Sequence, residues 1–363
     1  MFAVLCPAEL GATDLYVNDV GEGGSGTESD PYLGPDAIQV AINEAGSGDV
    51  IHVAGGFYDH IILSTPTDFI IIEDNNWAGG DPGVEAKIDG NMGNGIGIWI
   101  KGGQSRNMRI CGLTVSNWTM FVPQAPGIAI DPPDSTSGSS PTIMNCTIEG
   151  NINTNLYGPG GLSVGARCNP LITDCVFNSN ENTSTVNQGM AGAIMITPVG
   201  EAPCPPLSDW PNPEIRNCTF NGNKADGVGG RGGAIVIECA FALITGCTFQ
   251  GNIAMRSGGA IYTNEISAVT IQNCKFGGNI ARRGIGGAIY ANGSGGDNLP
   301  LRIIGNTFSN NRAARAGALC VANQAATVSH NNFENNRAEA DPNPMLPPSF
   351  PPTAGALGIR GKD

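Results

Sequence analysis

Aromatic and charged side chains are scarce in this sequence. Phe, Trp and Tyr make up 6% of its 363 residues, and Asp, Glu, Lys and Arg 14%. A core must therefore be filled by aliphatic side chains with help from Cys, Asn and Thr. Basic residues are outnumbered 32 to 18, for a formal net charge of −14. That balance argues against nucleic-acid binding by the whole surface. Only His52, His60 and His330 occur. None is paired at zinc-ligand spacing, and the cysteines form no Cys-x-x-Cys motif, so no metal site is expected. No apolar run approaches the ~18 residues of a membrane span. Helical periodicity is missing between the strand-like runs, which disfavours helical and leucine-rich solenoids.

Glycine and proline are abundant, at 53 and 25 residues. The glycines lack a three-residue period, which excludes collagen. Short alternating runs of Ile, Val, Leu and Phe argue against disorder.

A repeat dominates the chain. "NCTIEGN", "DCVFNSN", "NCTFNGN", "GCTFQGN" and "NCKFGGN" place Cys146, Cys175, Cys218, Cys247 and Cys274 in one position. "ICGLTVSN" adds Cys111, and later copies put Asn306 and Asn331 there. Two residues on stand Leu113, Ile148, Phe177, Phe220, Phe249, Phe276, Phe308 and Phe333. Three further on stand Asn151, Asn180, Asn223, Asn252, Asn279, Asn311 and Asn336; the first copy has Ser116 instead. A second element, "GGAIVI", "GGAIYT" or "GGAIYA", begins at Gly232, Gly258 and Gly286 and recurs as "AGAL" at Ala316 and Ala354.

Spacings of 25 to 43 residues between copies, read from Ile148 onward, are those of a solenoid with insertions. Alternation with period two makes its elements strands. Stacked coils of two or three strands, about 4.8 Å apart, form an all-β parallel β-helix, right-handed by the crossover rule. The Cys and Phe share parity and point inward, the Cys as a small filler. The Asn suits a left-handed turn and can bond to Asn above and below. The Gly pair allows a tight approach where a Cβ would clash.

The ends differ from the repeat. Residues 1–13 read as the remnant of a signal peptide and residues 14–50 as a strand and cap helix. Ile38, Ala41, Ile42 and Ala45 share one face of a helix over Asp36–Ala45, covering the first coil edge. Residues 51–363 form the β-helix, expected to be truncated at its C-terminus. Proline-rich insertions at Pro123–Pro141, Pro198–Pro213 and Asp341–Pro352, with Glu181–Gly189 and Asn292–Pro300, would wall a groove. Cys6, Cys168, Cys204, Cys239 and Cys320 lie outside the ladder, and Cys168 with Cys204 is the expected oxidised pair. The Asn-x-Thr sequons at Asn145 and Asn217 fall beside the ladder Cys, on a strand.

The Phe-x-x-Asn and Gly-Gly-Ala-Ile motifs resemble the repeats of the polymorphic outer-membrane protein family over about Cys218 to Leu357. "DLYVNDVG", "DAIQVAINEAGSGDVIHVAGGFYD", "IDGN" and "GLTVSN" resemble the opening of secreted β-helix proteins with the pectin-lyase-like fold. These resemblances imply secretion or display at the cell surface or outer membrane, and adhesion. In that outer-membrane family the repeats are carried by a C-terminal membrane barrel, and no segment here reads as one.

Two functions remain open: non-catalytic adhesion or glycan binding, and carbohydrate cleavage as a polysaccharide lyase or glycoside hydrolase. Hydrolysis needs two carboxyls about 5–9.5 Å apart, and the spacing identifies none. The Asn-Thr-Asp, Asp-Asp and Gly-His-Gly signatures of polygalacturonases do not occur. A lyase would need calcium, for which Asp74, Asp81 and Asp89 are candidates, and a base, for which Lys87 and Lys101 are; otherwise no cofactor is implied. A stripe of Lys224, Arg231, Arg256, Arg282, Arg283, Arg312, Arg315 and Arg337 lies between the Asn and Gly-Gly elements. Arginine matches carboxylate and sulfate geometry. Arg231, Arg256, Arg282, Arg283, Arg312 and Arg315 are therefore the candidate ligand-binding residues, for a polysaccharide or cell-surface glycan.

Overall fold

The structure is a computed structural model that describes residues 12–73, 83–92, 95–121, 123–155, 158–184, 190–198, 204–264, 267–293, 299–323, 325–339 and 357–360. Asp74, Asp81, Cys6, residues 1–11 and the insertion at 341–352 lie outside them, as do parts of the other insertions.

The chain winds through successive coils of short strands. One coil runs through Phe241–Thr245, Thr248–Gln250, Ile253–Ala254 and Ile261–Asn264, and the next opens at Ala268–Gln272. Each strand pairs in parallel with its counterpart one coil on, for example Phe249 with Phe276. Sheets 1 to 4, numbered in the order a coil visits them, hold 12, 10, 8 and 10 described strands. The architecture is a parallel β-helix. From the coil that opens at Arg109–Cys111 onward it has one more strand per coil than the alternation suggests, because most strands of sheet 3 are two residues long, too short to show a period.

The core is built of columns. Sheet 1 contributes Ile51, Ile71, Ile110, Ile143, Ile172, Ile215, Ile244, Ile271 and Ile303, all fully buried. In sheet 2, Phe177, Phe220, Phe249, Phe276, Phe308 and Phe333 stack with ring centroids 4.7 to 4.9 Å apart. Cys146, Cys175, Cys218, Cys247 and Cys274 point inward as filler. Burial above all pushes the Cys175 thiol well above its usual range.

The first copy of the motif sits two residues from where the sequence alignment puts it. Val115, not Leu113, pairs with Ile148. Leu113 then holds the Cys position, and Cys111 faces outward beside Val50, Ile70 and Met144. A slip of two preserves parity, so Leu113 remains buried. Trp118 takes the Asn position. Its backbone N–H donates to Asn151 Oδ1 (3.1 Å) and its indole N–H to the Ile88 carbonyl (3.0 Å).

The ladder asparagines are not themselves the turn residues. Left-handed φ falls one residue earlier, at Gly150, Ser179, Gly222, Gly251, Gly278, Asn310 and Asn335. A second left-handed corner, between sheets 1 and 2, holds Asn145 (φ 53°) and Asn217 (φ 52°). Both sequons therefore lie in turns rather than on strands, where Asn tolerates a conformation that strains other residues.

The two positions of the Gly pair differ in what a Cβ would meet. At Gly258, left-handed at φ +64°, it would lie 2.3 Å from the Ile261 carbonyl oxygen, three residues on in the same coil, whereas at Gly259 it would lie 2.0 Å from the Gly287 carbonyl oxygen of the next coil. Ala191 (φ 53°) and Ala316 (φ 50°) occupy the first position in other coils, but the second stays glycine, at Gly192, Gly233, Gly259, Gly287 and Gly317. Gly258→Ala is expected to cost about 1–2 kcal/mol, and Gly259→Ala about 3 kcal/mol from forced separation of the coils. Denaturation midpoints of the two variants check this; equal losses would show that conformation alone matters.

The helix spans Ala37–Glu44, with Asp36 and Ala45 as its caps, and buries Ala37, Ile38, Ala41 and Ile42. It packs on the first strands of sheets 1 and 4 as the expected cap. No described helix is long and apolar enough to cross a membrane.

Candidate functional site

Described parts of the insertions adjoin sheet 4. The chain approaches that sheet through residues 183–184, 190–191 and 226–232 and leaves it through 131–141, 197–198 and 204–213. The outward row of the sheet is Trp99, Ala129, Ser163, Met195, Val236, Tyr262, Tyr290 and Cys320. Its middle is covered rather than open: Ala129 and Val236 have no exposed surface. The Ala125 N–H donates to Ser163 Oγ (3.1 Å), which ties one insertion down over the sheet.

One of these insertions is pinned by a disulfide, but not the expected one. Cys204 bonds to Cys239, with Cα atoms 5.6 Å apart. Each of the two follows a sheet-4 strand, in neighbouring coils, so stacking brings them together. Cys168 is fully buried among core side chains instead, where burial pushes its thiol up to about 12.

The six candidate arginines share one corner of the solenoid, spanning sheet 3 and its turn into sheet 4, but do not form a single file. Arg312 pairs with Arg337 in the outward column of sheet 3, which runs back through Ile280 and Ile253 to Lys224. Arg231 bridges to Ser257 in the turn column, and Arg315 pairs with Ile285. Arg256, Arg282 and Arg283 stand between. The interruptions arise because the turn into sheet 4 varies in length from coil to coil.

Their surroundings separate them. Arg231 lies over Tyr262, its guanidinium carbon 5.0 Å from the ring centroid and Nη1 3.1 Å from the hydroxyl. Tyr262 itself packs among Met190, Ala191, Met195 and Val236, and burial raises its phenol well above the usual range. Arg231 is thus largely occupied in covering this cluster. Arg282 pairs with Asp226 (2.8 Å) and Arg312 with Glu339 (3.4 Å). Arg256 is exposed and has no ion pair among the described residues. Arg283 and Arg315 are half-buried.

Charge is segregated along the axis. Residues 224–339 hold ten of the 18 basic residues and six of the 32 acidic ones, a net of +4. Residues 1–223 hold six and 24, a net of −18. A basic surface on an acidic protein concentrates anions locally.

Of the carboxylates and lysines named for a lyase, the described ones, Asp89, Lys87 and Lys101, each engage other groups. Asp89 is buried and accepts from the Asn91 backbone (2.9 Å) and the Asn117 amide (3.3 Å). Lys87 pairs with Glu85 (3.3 Å). Lys101 instead lies 3.6 Å from the centroid of the Trp99 ring. Asp131, one coil on, accepts from the Trp99 indole N–H (2.8 Å). Sequence reasoning missed this trio. The alternation in "GIWIKG" already puts Trp99 and Lys101 outward, but the loop length that brings Asp131 beside them has no signature. Among the described residues, no group of three or more His, Cys, Asp or Glu is placed to hold a metal ion.

The family described as "right handed beta helix region" matches residues 206–341. A solved rhamnogalacturonan lyase aligns over 96% of this chain and 87% of its own, at 13% identity and a TM-score of 0.46. No curated protein matches the chain. With four parallel sheets extending well beyond the matched region, the chain is a right-handed parallel β-helix.

Proposed function

We propose that the protein is a secreted or surface-exposed, non-catalytic binder of acidic glycans, and that the basic corner of residues 224–339 is its contact surface. The observation that carries this reading is the charge segregation. A net of +4 stands on a chain of −14, with Arg256, Arg282 and Arg312 exposed on that corner. The Cys204–Cys239 disulfide supports an oxidising compartment. The resemblance of the repeats to those of the polymorphic outer-membrane proteins supports display and adhesion.

The test is titration of polygalacturonate and a sulfated glycan into the parent protein and an Arg256→Ala/Arg282→Ala/Arg312→Ala variant. At about 1 kcal/mol per exposed contact, the triple variant is expected to bind roughly 100-fold more weakly. Affinity of the parent should fall as salt rises. Unchanged binding in the variant would overturn the reading. Release of unsaturated products or new reducing ends, with or without calcium, would replace it with the lyase or hydrolase reading.

A further inference from the structure

The Trp99, Lys101 and Asp131 cluster lies at the other end of the same outward row from the basic corner. Between Trp99 and Tyr262 the row passes through Ala129, Ser163, Met195 and Val236. Those five coil steps amount to roughly 24 Å, so the two places cannot share one contact.

The backbone that carries Asp131 is tied down on several sides. The Asp131 N–H donates to the Ile100 carbonyl (2.8 Å), which sets Asp131 beside Lys101 in the neighbouring coil. Ser139 donates to the Asp131 carbonyl (2.7 Å) and accepts from the Gly103 N–H (3.1 Å), tying the 131–141 insertion to the coil before it. Buried Gln104 donates to the Leu63 (3.2 Å) and Thr65 (2.8 Å) carbonyls. The next residue in the Asp131 column is Gly165, where a Cβ would stand 3.3 Å from Asp131 Oδ1. That glycine keeps the carboxyl uncrowded. Burial raises the Asp131 carboxyl, and the Trp99 hydrogen bond and then the Lys101 charge partly offset this.

Trp99 is half-exposed, whereas Trp118 and Trp210 are buried. Its indole edge is fixed by Asp131, and its face attracts the Lys101 ammonium. A ring face that attracts a cation also attracts the positively polarised C–H bonds of a pyranose. The ammonium and the carboxyl beside it supply a donor and an acceptor for hydroxyl groups. The surrounding residues 1–223 carry a net −18, which repels polyanions. We propose that Trp99, Lys101 and Asp131 form a second binding site that takes an uncharged saccharide: the Lys101 ammonium swings off the Trp99 face to donate to a hydroxyl, the sugar ring takes its place on the indole, and Asp131 accepts from a neighbouring hydroxyl.

The test uses the full chain and a panel of uncharged hexasaccharides: cello-, manno-, xylo- and malto-oligomers. Intrinsic tryptophan fluorescence and calorimetry are the readouts. At least one oligomer is expected to bind and change the fluorescence. Trp99→Ala and Lys101→Met should each weaken it about 10-fold or more, while Trp99→Phe should retain most of the affinity. The triple arginine variant should bind it like the parent. Circular dichroism of the Lys101→Met variant, a surface change, guards against a loss caused by misfolding. No binding by any oligomer, or binding unaffected by Trp99→Ala, would overturn the proposal. Either result leaves the acidic-glycan reading standing or falling on its own titration.

Discussion

Asn252→Ala is expected to destabilise the central coils by about 3–6 kcal/mol. Asn252 is fully buried, and its amide makes four hydrogen bonds. Oδ1 accepts from Asn223 N (3.1 Å) and Asn223 Nδ2 (3.0 Å), and Nδ2 donates to Asn279 Oδ1 (2.9 Å) and the Phe220 carbonyl (2.9 Å). Alanine leaves several of these partners buried and unmatched, at about 1–3 kcal/mol each. The same substitution at Asn336, half-buried at the far end of the ladder, removes the bond to the Phe308 carbonyl and those from Asn311 where water can replace them. It is expected to cost about 1 kcal/mol. Coils interact with their nearest neighbours, so the loss at Asn252 should appear in hydrogen exchange as faster opening around Asn223 and Asn279. Equal losses at the two positions would show that the ladder is not held by burial of its amides.

The second large effect is expected at Phe249→Ala. Phe249 stacks between Phe220 and Phe276, with centroids 4.7 Å away on both sides and planes within 4°. Truncation removes the ring's buried area and leaves a cavity that rigid coils above and below cannot close, costing about 3–5 kcal/mol. Phe249→Leu, which keeps much of the volume, should cost about 1–2 kcal/mol. Thermal and denaturant unfolding of the pair would check the ratio. A loss for Phe249→Ala no larger than for Phe249→Leu would mean that the coils do close over the gap.

Much of the fold was legible because a solenoid writes its core into the sequence at a fixed parity. Phe177 through Phe333 and Cys146 through Cys274 point where their alternation with polar neighbours puts them. The errors share a cause. Cys111 is a residue of the right type in the wrong column, since Cys suits an outer apolar patch as well as a core. The ladder Asn reads as a turn residue because Asn tolerates left-handed φ. In the fold, the residue before it turns, and the Asn amide is used inward.

The candidate site was less legible for the same physical reason that made the core readable. Columns repeat where residues must pack in register; insertions carry no such constraint. Their lengths decide which residues meet. The arginines between Lys224 and Arg337 could be read as belonging to one corner, but their division into separate columns follows from turns of unequal length. Cys168 and Cys239 follow sheet-4 strands one coil to either side of Cys204, but Cys168 is buried in the core, and Cys204 bonds to the half-buried Cys239.

By itself the sequence determined the strand period, the inward columns of Phe and Cys, the Asn and Gly repeats, the cap helix and hence the parallel β-helix. These follow from local alternation and from residues forced into register by neighbouring coils. Only the tertiary structure decided the sheet-3 strand that most coils carry, the disulfide partner, the covered middle of sheet 4 and the meeting of Trp99, Lys101 and Asp131. Those depend on how irregular loops fold back over a regular scaffold, and loop closure is set by contacts between residues distant in the chain.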